Sequence, residues 1–360
     1  MRRGWTLTRG RGAGDVVSQR RTVLSIDGGG IRGIIPAMVL HHIEVATVRP
    51  AAQLFDMMVG TSTGGILALG LSLPGPGSVQ ASLYRARDLA DLYADRGDQI
   101  FRRSLWRRLR SGLGVFDEAY SAGPLEATLR EYFGDQRLGD CLCPTMVTAY
   151  DIEARRTVFL KSFKAEHTDL SCAAAARATS AAPTFFEPAS VTLNQQATSL
   201  VDGGVYMNSP VVSAYAEALK RFPGDPITVI SLGTGELVRP INGRKAARWG
   251  KAGWLLPLLD CMFDGVAKAA DHQMTLFLGE RYQRFQLELN SANDAMDDAS
   301  PVNVAALFNA ASELIERDRS RLDNVIAYLR SLHGYPSWAS PMLTESGAGP
   351  ESGNAASSMS

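Results

Sequence analysis

From Met57 to Leu73 the chain runs seventeen residues without a charge, and glycines flank a serine near the start of the run, Gly60-Thr61-Ser62-Thr63-Gly64. The stretch is too short and too broken to span a bilayer, which takes about 20 consecutive apolar residues. Its residue order reads instead as a buried strand over Phe55–Val59, a tight turn, and a helix over Gly64–Leu71 that is apolar on every side. A helix of that kind has to be covered all round, and a strand with no polar face has to be covered on both faces. The segment therefore predicts a layered α/β fold with helices on both sides of a mostly parallel sheet.

The remainder of the chain keeps the alternation. Thr22–Ile26 reads as a strand that enters a glycine turn, with a helix from about Ile34 to Ala46. Gly123-Pro124 opens a helix that Gly134 closes. Thr145–Tyr150 and Thr157–Phe163 read as strands joined by a polar turn, and Asp169 is placed to cap an alanine-rich helix. Ile227–Leu232 is a strand running into Gly233-Thr234-Gly235; a helical stretch from about Trp249 to Leu278, a last strand over Tyr282–Leu289 and a helical pair ending near Leu332 follow. No repeat or long linker divides the chain, so one domain over 22–333 is expected, its core at 22–235 and a helical extension at about 249–333. Residues 1–21 read as a basic, disordered leader with no apolar segment of a secretory signal, and 340–360 as a disordered tail.

Charge limits the choice of partners. Lys plus Arg and Asp plus Glu are 37 each, so no global field draws the chain to nucleic acid or an anionic membrane, and any such binding must come from a local patch. A local exception is 101–110, where Phe101, Leu105 and Leu109 share a helical face surrounded by five arginines. That pattern fits an anionic lipid surface, a packed helix with solvated arginines, or a site for a cyclic dinucleotide that uses some of the same arginines. Cys141, Cys143, Cys172 and Cys261 have no zinc-ligand or redox spacing and read as reduced, buried thiols. The acidic group Asn293, Asp294, Asp297 and Asp298 lacks the glycine and terminal glutamate of a calcium loop, so neither metal nor cofactor is expected.

Three loops carry candidate chemistry. Asp27-Gly28-Gly29-Gly30-Ile31-Arg32-Gly33 follows a strand and opens a helix, so unobstructed backbone N–H groups face an anion there. Gly28, Gly30 and Gly33 also satisfy the dinucleotide fingerprint, although the acid expected about 20 residues on is poorly matched by Glu44 or Asp56. Gly60 and Gly64 frame Ser62 as the G-x-S-x-G turn that exposes a nucleophile; the same turn could simply pack a helix on a sheet. A serine hydroxyl needs a base. None of the five histidines, His41, His42, His167, His272 and His333, stands at a glycine-supported strand end, whereas Asp202-Gly203-Gly204 follows the apolar Leu200-Val201 and does.

Together, DGGGIRG, GTSTGG and VDGG in this order and spacing resemble the patatin-like phospholipase family, with supporting matches at Ser180–Phe186, Asn208-Ser209-Pro210 and Ser231–Gly235. The resemblance covers about residues 22–235 and implies a three-layer α/β/α sandwich and a serine lipid acyl hydrolase. Carried over position by position, it makes Ser62 the nucleophile, Asp202 its base, and Gly28, Gly29, Gly30, Arg32 and Gly33 the oxyanion loop. It implies a membrane phospholipid substrate and no histidine. Asn208-Ser209-Pro210 departs from the Asn-Asn-Pro usual in plant members.

Softer matches at Asp91–Phe101, Trp249–Gly265 and Met296–Pro301 are similar to a bacterial branch of anti-phage effectors. That likeness implies activation by a cyclic dinucleotide such as cyclic GMP-AMP, a homo-oligomer on activation, and action from the cytoplasm on the inner face of the cell membrane. The competing expectations are a constitutive housekeeping lipid acyl hydrolase and a nucleotide-binding oxidoreductase built on the glycine loop.

Overall fold

A computed structural model describes residues 18–100, 120–236, 240–289, 292 and 295–334. The leader up to residue 17, the basic helix expected at 101–110, Asn293, Asp294 and the tail from 340 lie outside the described residues.

One sheet organises the chain, in the order β8-β7-β1-β2-β3-β6-β5 with β4 on β3. Its strands are β1 (Arg21–Ile26), β2 (Met57–Thr61), β3 (Thr145–Asp151), β4 (Arg156–Lys161), β5 (Ala189–Leu193), β6 (Gln196–Asp202), β7 (Ile227–Leu232) and β8 (Tyr282–Phe285). The five strands from β8 to β3 are parallel, and β4, β6 and β5 add antiparallel pairs.

Successive strand side chains point to opposite faces. Leu24, Ile26, Met58, Ile230 and Leu232 thus join α1 (Ile34–Thr47), α3 (Ala86–Ile100), α8 (Pro301–Arg317) and α9 (Arg319–His333) in one cluster, while Val23, Met57, Val59, Ile227 and Val229 face α6 (Val211–Arg221) and α7 (Gly250–Leu278). On the first face a second cluster joins Val147, Ala149 and Leu200 to α4 (Ala122–Phe133) and α5 (Cys172–Thr179). Between these two clusters runs α2 (Thr63–Leu71), giving Leu67, Ala68 and Leu71 to one and Ile66 and Leu69 to the other. That position explains why the sequence of this helix has no polar side.

Several elements depart from the sequence expectation. Arg21, assigned to the leader, begins β1 because its guanidinium bridges Asp56 at 2.9 Å and Asp225 at 2.8 Å. Ser171, not Asp169, caps α5, accepting from Ala174 N at 3.2 Å. The β5–β6 hairpin was not foreseen: Asn194 and Gln195 both turn with positive φ, 50° and 63°, without the glycine that usually marks such a turn. The last strand ends at Phe285, four residues early.

The arrangement around β3 positions the site. One edge of β3 is taken by β4. On the other edge β2 pairs with Thr145–Thr148 and the antiparallel β6 pairs with Ala149–Asp151. The C-terminal ends of β2 and β6 therefore run toward each other along a single neighbour, Thr61 opposite Thr148 and Asp202 opposite Ala149.

Candidate active site

Ser62 sits where β2 turns into α2, with φ 55° and ψ −124°. That backbone lies in a region L-residues avoid, a strain that persists only where the surroundings hold it. They do so by close approach. A β-carbon on Gly60 would collide with the Gly64 carbonyl, and one on Gly64 with the Ile26 carbonyl, so the turn packs backbone on backbone against the end of β1. Thr179 Oγ1, from the last residue of α5, accepts the Ser62 N–H at 2.9 Å. Ser62 is also the residue before the first turn of α2, where the positive end of the helix dipole favours developing negative charge.

Asp202 arrives at Ser62 because β6 ends against β3 beside β2. Its carboxylate is hydrogen-bonded by the Ser62 side chain, and its Oδ1 accepts from Gly204 N at 2.7 Å. Asp202 is buried, and desolvation pushes its carboxyl up to about 7, against the lowering effect of the two hydrogen bonds. Such a group changes charge near neutral pH and holds a strong acceptor against a serine hydroxyl.

The glycine loop is the third component. Gly28 lies against Ser62, where a β-carbon on it would come 3.3 Å from that of Ser62. The Gly28 N–H donates to Asn208 O at 3.0 Å, so Gly28 lines the site without offering a free donor. The next two peptides are held from behind. Thr234 Oγ1 donates to Gly28 O at 2.6 Å, and Arg32 donates to Gly29 O through its N–H at 3.2 Å and its Nε at 3.3 Å. In a trans peptide the C=O and the following N–H point in opposite directions. Fixing those two carbonyls therefore turns the N–H groups of Gly29 and Gly30 the other way, and neither has an acceptor among the described residues. Gly30 adopts φ 58° beneath the Met296 carbonyl, which also accepts the Ile31 N–H at 2.9 Å. Gly33 packs its α-carbon against the Thr63 side chain rather than facing Ser62.

The root of the loop is anchored by charge: Arg284 of β8 meets Asp27 at 2.6 Å and Ser231 Oγ at 2.8 Å, with both charged side chains almost fully buried. Breaking such a pair leaves an uncompensated buried charge, so it fixes the loop firmly. Asp202 and the loop are further tied by the short segment after β6, since Met207 O accepts Thr61 Oγ1 at 2.9 Å while Asn208 O holds Gly28.

Ser62, Asp202 and the glycine loop, three separate motifs in sequence, are thus in contact. The histidines lie elsewhere: His167 Nδ1 accepts the Lys161 N–H at 3.1 Å, and His333 pairs with Leu54 O at 3.2 Å. Thr179 and Arg284 belong to the site and were missed by sequence reasoning. Thr179 ends a run of alanines, and Arg284 lies in a strand whose only sequence signal is apolar alternation. Among the described residues no group of three or more His, Cys, Asp or Glu is arranged to hold a metal.

The family profile described as patatin-like phospholipase matches residues 24–215, which contain Ser62, Asp202 and the glycine loop. Patatin-like protein 2 of Oryza sativa subsp. indica is 31% identical over 347 residues, covering 84% of this chain and 85% of the relative. Patatin-T5 of Solanum tuberosum is 30% identical over 353 residues, covering 86% and 87%. Among solved structures, human GIVD cytosolic phospholipase A2 aligns at TM-score 0.44 and 9% identity, over 88% of this chain and 61% of that one. On the profile match and the plant relatives, the chain belongs to the patatin-like phospholipase family.

Proposed function

We propose that the protein hydrolyses fatty acyl esters of membrane phospholipids by serine acyl transfer. The observation that carries the reading is the hydrogen bond between Ser62, held at positive φ on its turn, and a buried Asp202 with a raised pKa. Ser62 Oγ attacks the ester carbonyl while Asp202 accepts its proton. The carbonyl oxygen, now negative, takes the N–H groups of Gly29 and Gly30. Collapse of the tetrahedral adduct breaks the bond to the glycerol oxygen, which leaves as lysolipid with the proton from Asp202. Water, deprotonated by Asp202 in turn, releases the fatty acid. A nucleotide cradle is disfavoured, since the Gly28 N–H is already bonded and Met296 covers Gly30. Fatty acid release from mixed phospholipids by the purified protein tests the reading; no release under any condition would overturn it.

The geometry of the loop carries a separate expectation. Thr234→Val removes the hydroxyl that holds Gly28 O while keeping the volume that packs on Gly29. Turnover should fall about 10-fold to 10²-fold, near the cost of one misdirected oxyanion donor. KM should hardly change, and Thr234→Ser should restore most of kcat. Equal kcat in the valine variant would show that Thr234 does not orient the loop.

The resemblance of Asp91–Phe101, Trp249–Gly265 and Met296–Pro301 extends the proposal to regulation. In this reading a cyclic dinucleotide such as cyclic GMP-AMP raises an otherwise low activity against the inner face of the cell's own membrane, as an anti-phage effector, with a change in assembly size. A ligand shifts such an equilibrium only by its differential affinity for the two states, so a steep response requires strong preference for the active one. High release without any nucleotide, unchanged across a panel of cyclic dinucleotides, would leave a constitutive lipid acyl hydrolase.

A further inference from the structure

The helix α7 is longer than the sheet it covers. It leaves the sheet after β7, on the side where β7 ends beside the glycine loop, and returns to the start of β8. Its 29 residues span about 43 Å at 1.5 Å per residue, whereas the six residues of β7 span about 20 Å. Among its described side chains, those that anchor it lie in the C-terminal half: Ala270, Met274 and Leu278 are buried against β1, β7 and α6, and Asp271 takes the Tyr282 hydroxyl at 2.9 Å. Lys268 and Asp264 act on Glu236, which lies just beyond the end of β7. The half of the helix before Asp264 therefore projects past the rim that carries Ser62.

On that projecting half and the turn that joins it to the anchored half, apolar side chains face outward. Trp254, Leu258, Met262 and Val266 are exposed by 37%, 48%, 47% and 40%. Spaced by four, they step about 40° each around the axis and form one continuous stripe. In the segment leading into the helix, which includes a single helical turn over Gly243–Ala246, Ile241 is exposed, and so are Arg244, Lys245 and Arg248, none of them in an ion pair with a described residue. Segment 240–269 carries five basic residues (Arg244, Lys245, Arg248, Lys251, Lys268) against two acidic ones (Asp260, Asp264). A stripe of large apolar side chains beside a cationic base complements a surface that is anionic outside and hydrocarbon beneath.

We infer that the projecting half of α7 is the lipid-docking surface of the protein, inserting Trp254, Leu258, Met262 and Val266 into an anionic bilayer and seating Arg244, Lys245 and Arg248 among its headgroups. The choice of partner rests on the phospholipid reading above. Such docking brings the rim with Ser62 onto the surface from which the ester must be drawn, without the protein crossing it.

The test uses vesicles of ether-linked phosphatidylglycerol and phosphatidylcholine, which bind but cannot be hydrolysed. The full chain should co-sediment with them, less so as salt rises or phosphatidylglycerol is removed. Trp254→Glu with Met262→Glu should cut binding at least 10-fold. Arg244→Glu with Arg248→Glu should do so chiefly at low salt. Both pairs lie on exposed surface, and thermal melting checks that each variant is folded. On ester-linked vesicles the variants should lose hydrolysis in proportion to binding, while cleaving a water-soluble short-chain ester as the wild type does. Unchanged vesicle binding by the folded glutamate variants would overturn the inference. So would light scattering that shows the wild type as a dimer, the variants as monomers, and equal lipid binding by both, since the stripe would then join two copies. Failure of the phospholipid reading looks different, with vesicles bound but neither ester cleaved.

Discussion

Ser62→Ala should reduce ester hydrolysis to background, a loss of about 10⁴-fold or more, with the fold intact. The substitution removes one oxygen from the turn and nothing that holds it: Thr179 still accepts the residue-62 N–H, and Gly60 and Gly64 still allow the close approach. Alanine adopts φ 55° no more readily than serine, so the strain is unchanged and the melting temperature should move little. Residual turnover comes from the glycine-loop amides, which can still stabilise attack by water. Asp202 loses the hydrogen bond that lowers its pKa, and so shifts further upward. A fluorophosphonate probe should label wild type at Ser62 and leave the variant untouched. Labelling of a different serine, or alanine-variant turnover near wild type, would remove Ser62 from the mechanism.

How the site could be read before the structure depends on which interactions make it. The turn around Ser62 was legible because its requirements are local: an apolar strand, glycines where backbones touch, and an apolar helix, all within seventeen residues. The fold class followed from the same segment, since α2 has apolar residues on every side only because it lies between two core clusters. The glycine loop was legible as a set of free amides, but which amides are free was not. That is decided by Asn208, Thr234 and Arg32, two of them more than 170 residues away, which spend the Gly28 N–H and orient the next two peptides. The meeting of Ser62 and Asp202 was likewise invisible to local reasoning, because it depends on β6 taking the half of the β3 edge that β2 leaves open. The β5–β6 hairpin that makes this possible turns on Asn194-Gln195, a pair with no strong turn signature. Arg284 gave no signal at all, since a lone arginine in a short strand does not show which buried carboxylate it will meet.

Asp202→Asn should cost about 10²–10⁴-fold in turnover, the range that one well-placed general base supplies. Asparagine matches the shape of the carboxyl and can still accept the Gly204 N–H through its Oδ1, so the loss isolates the proton acceptor. The pH dependence fixes the sign. With the carboxyl raised to about 7, only the ionised fraction can take the serine proton, so wild-type kcat/KM should fall about tenfold per unit below pH 7 and level off above it. The residual activity of the variant should lack that step. Stability should move the opposite way. In the unfolded chain the carboxyl ionises near its ordinary value, while in the folded protein it stays neutral up to about 7, so between about pH 4 and 7 the unfolded state binds fewer protons and the wild type weakens as pH rises. Asparagine carries no charge at any pH, so the variant should melt above wild type at pH 8, with the gap closing toward pH 4. An enzyme that becomes more stable as it loses its base is one whose active site holds an unfavourable buried charge for the sake of chemistry. A variant with wild-type turnover and an unshifted acid limb would exclude Asp202 as the base. A His272 variant equally inactive would replace the pair with a triad.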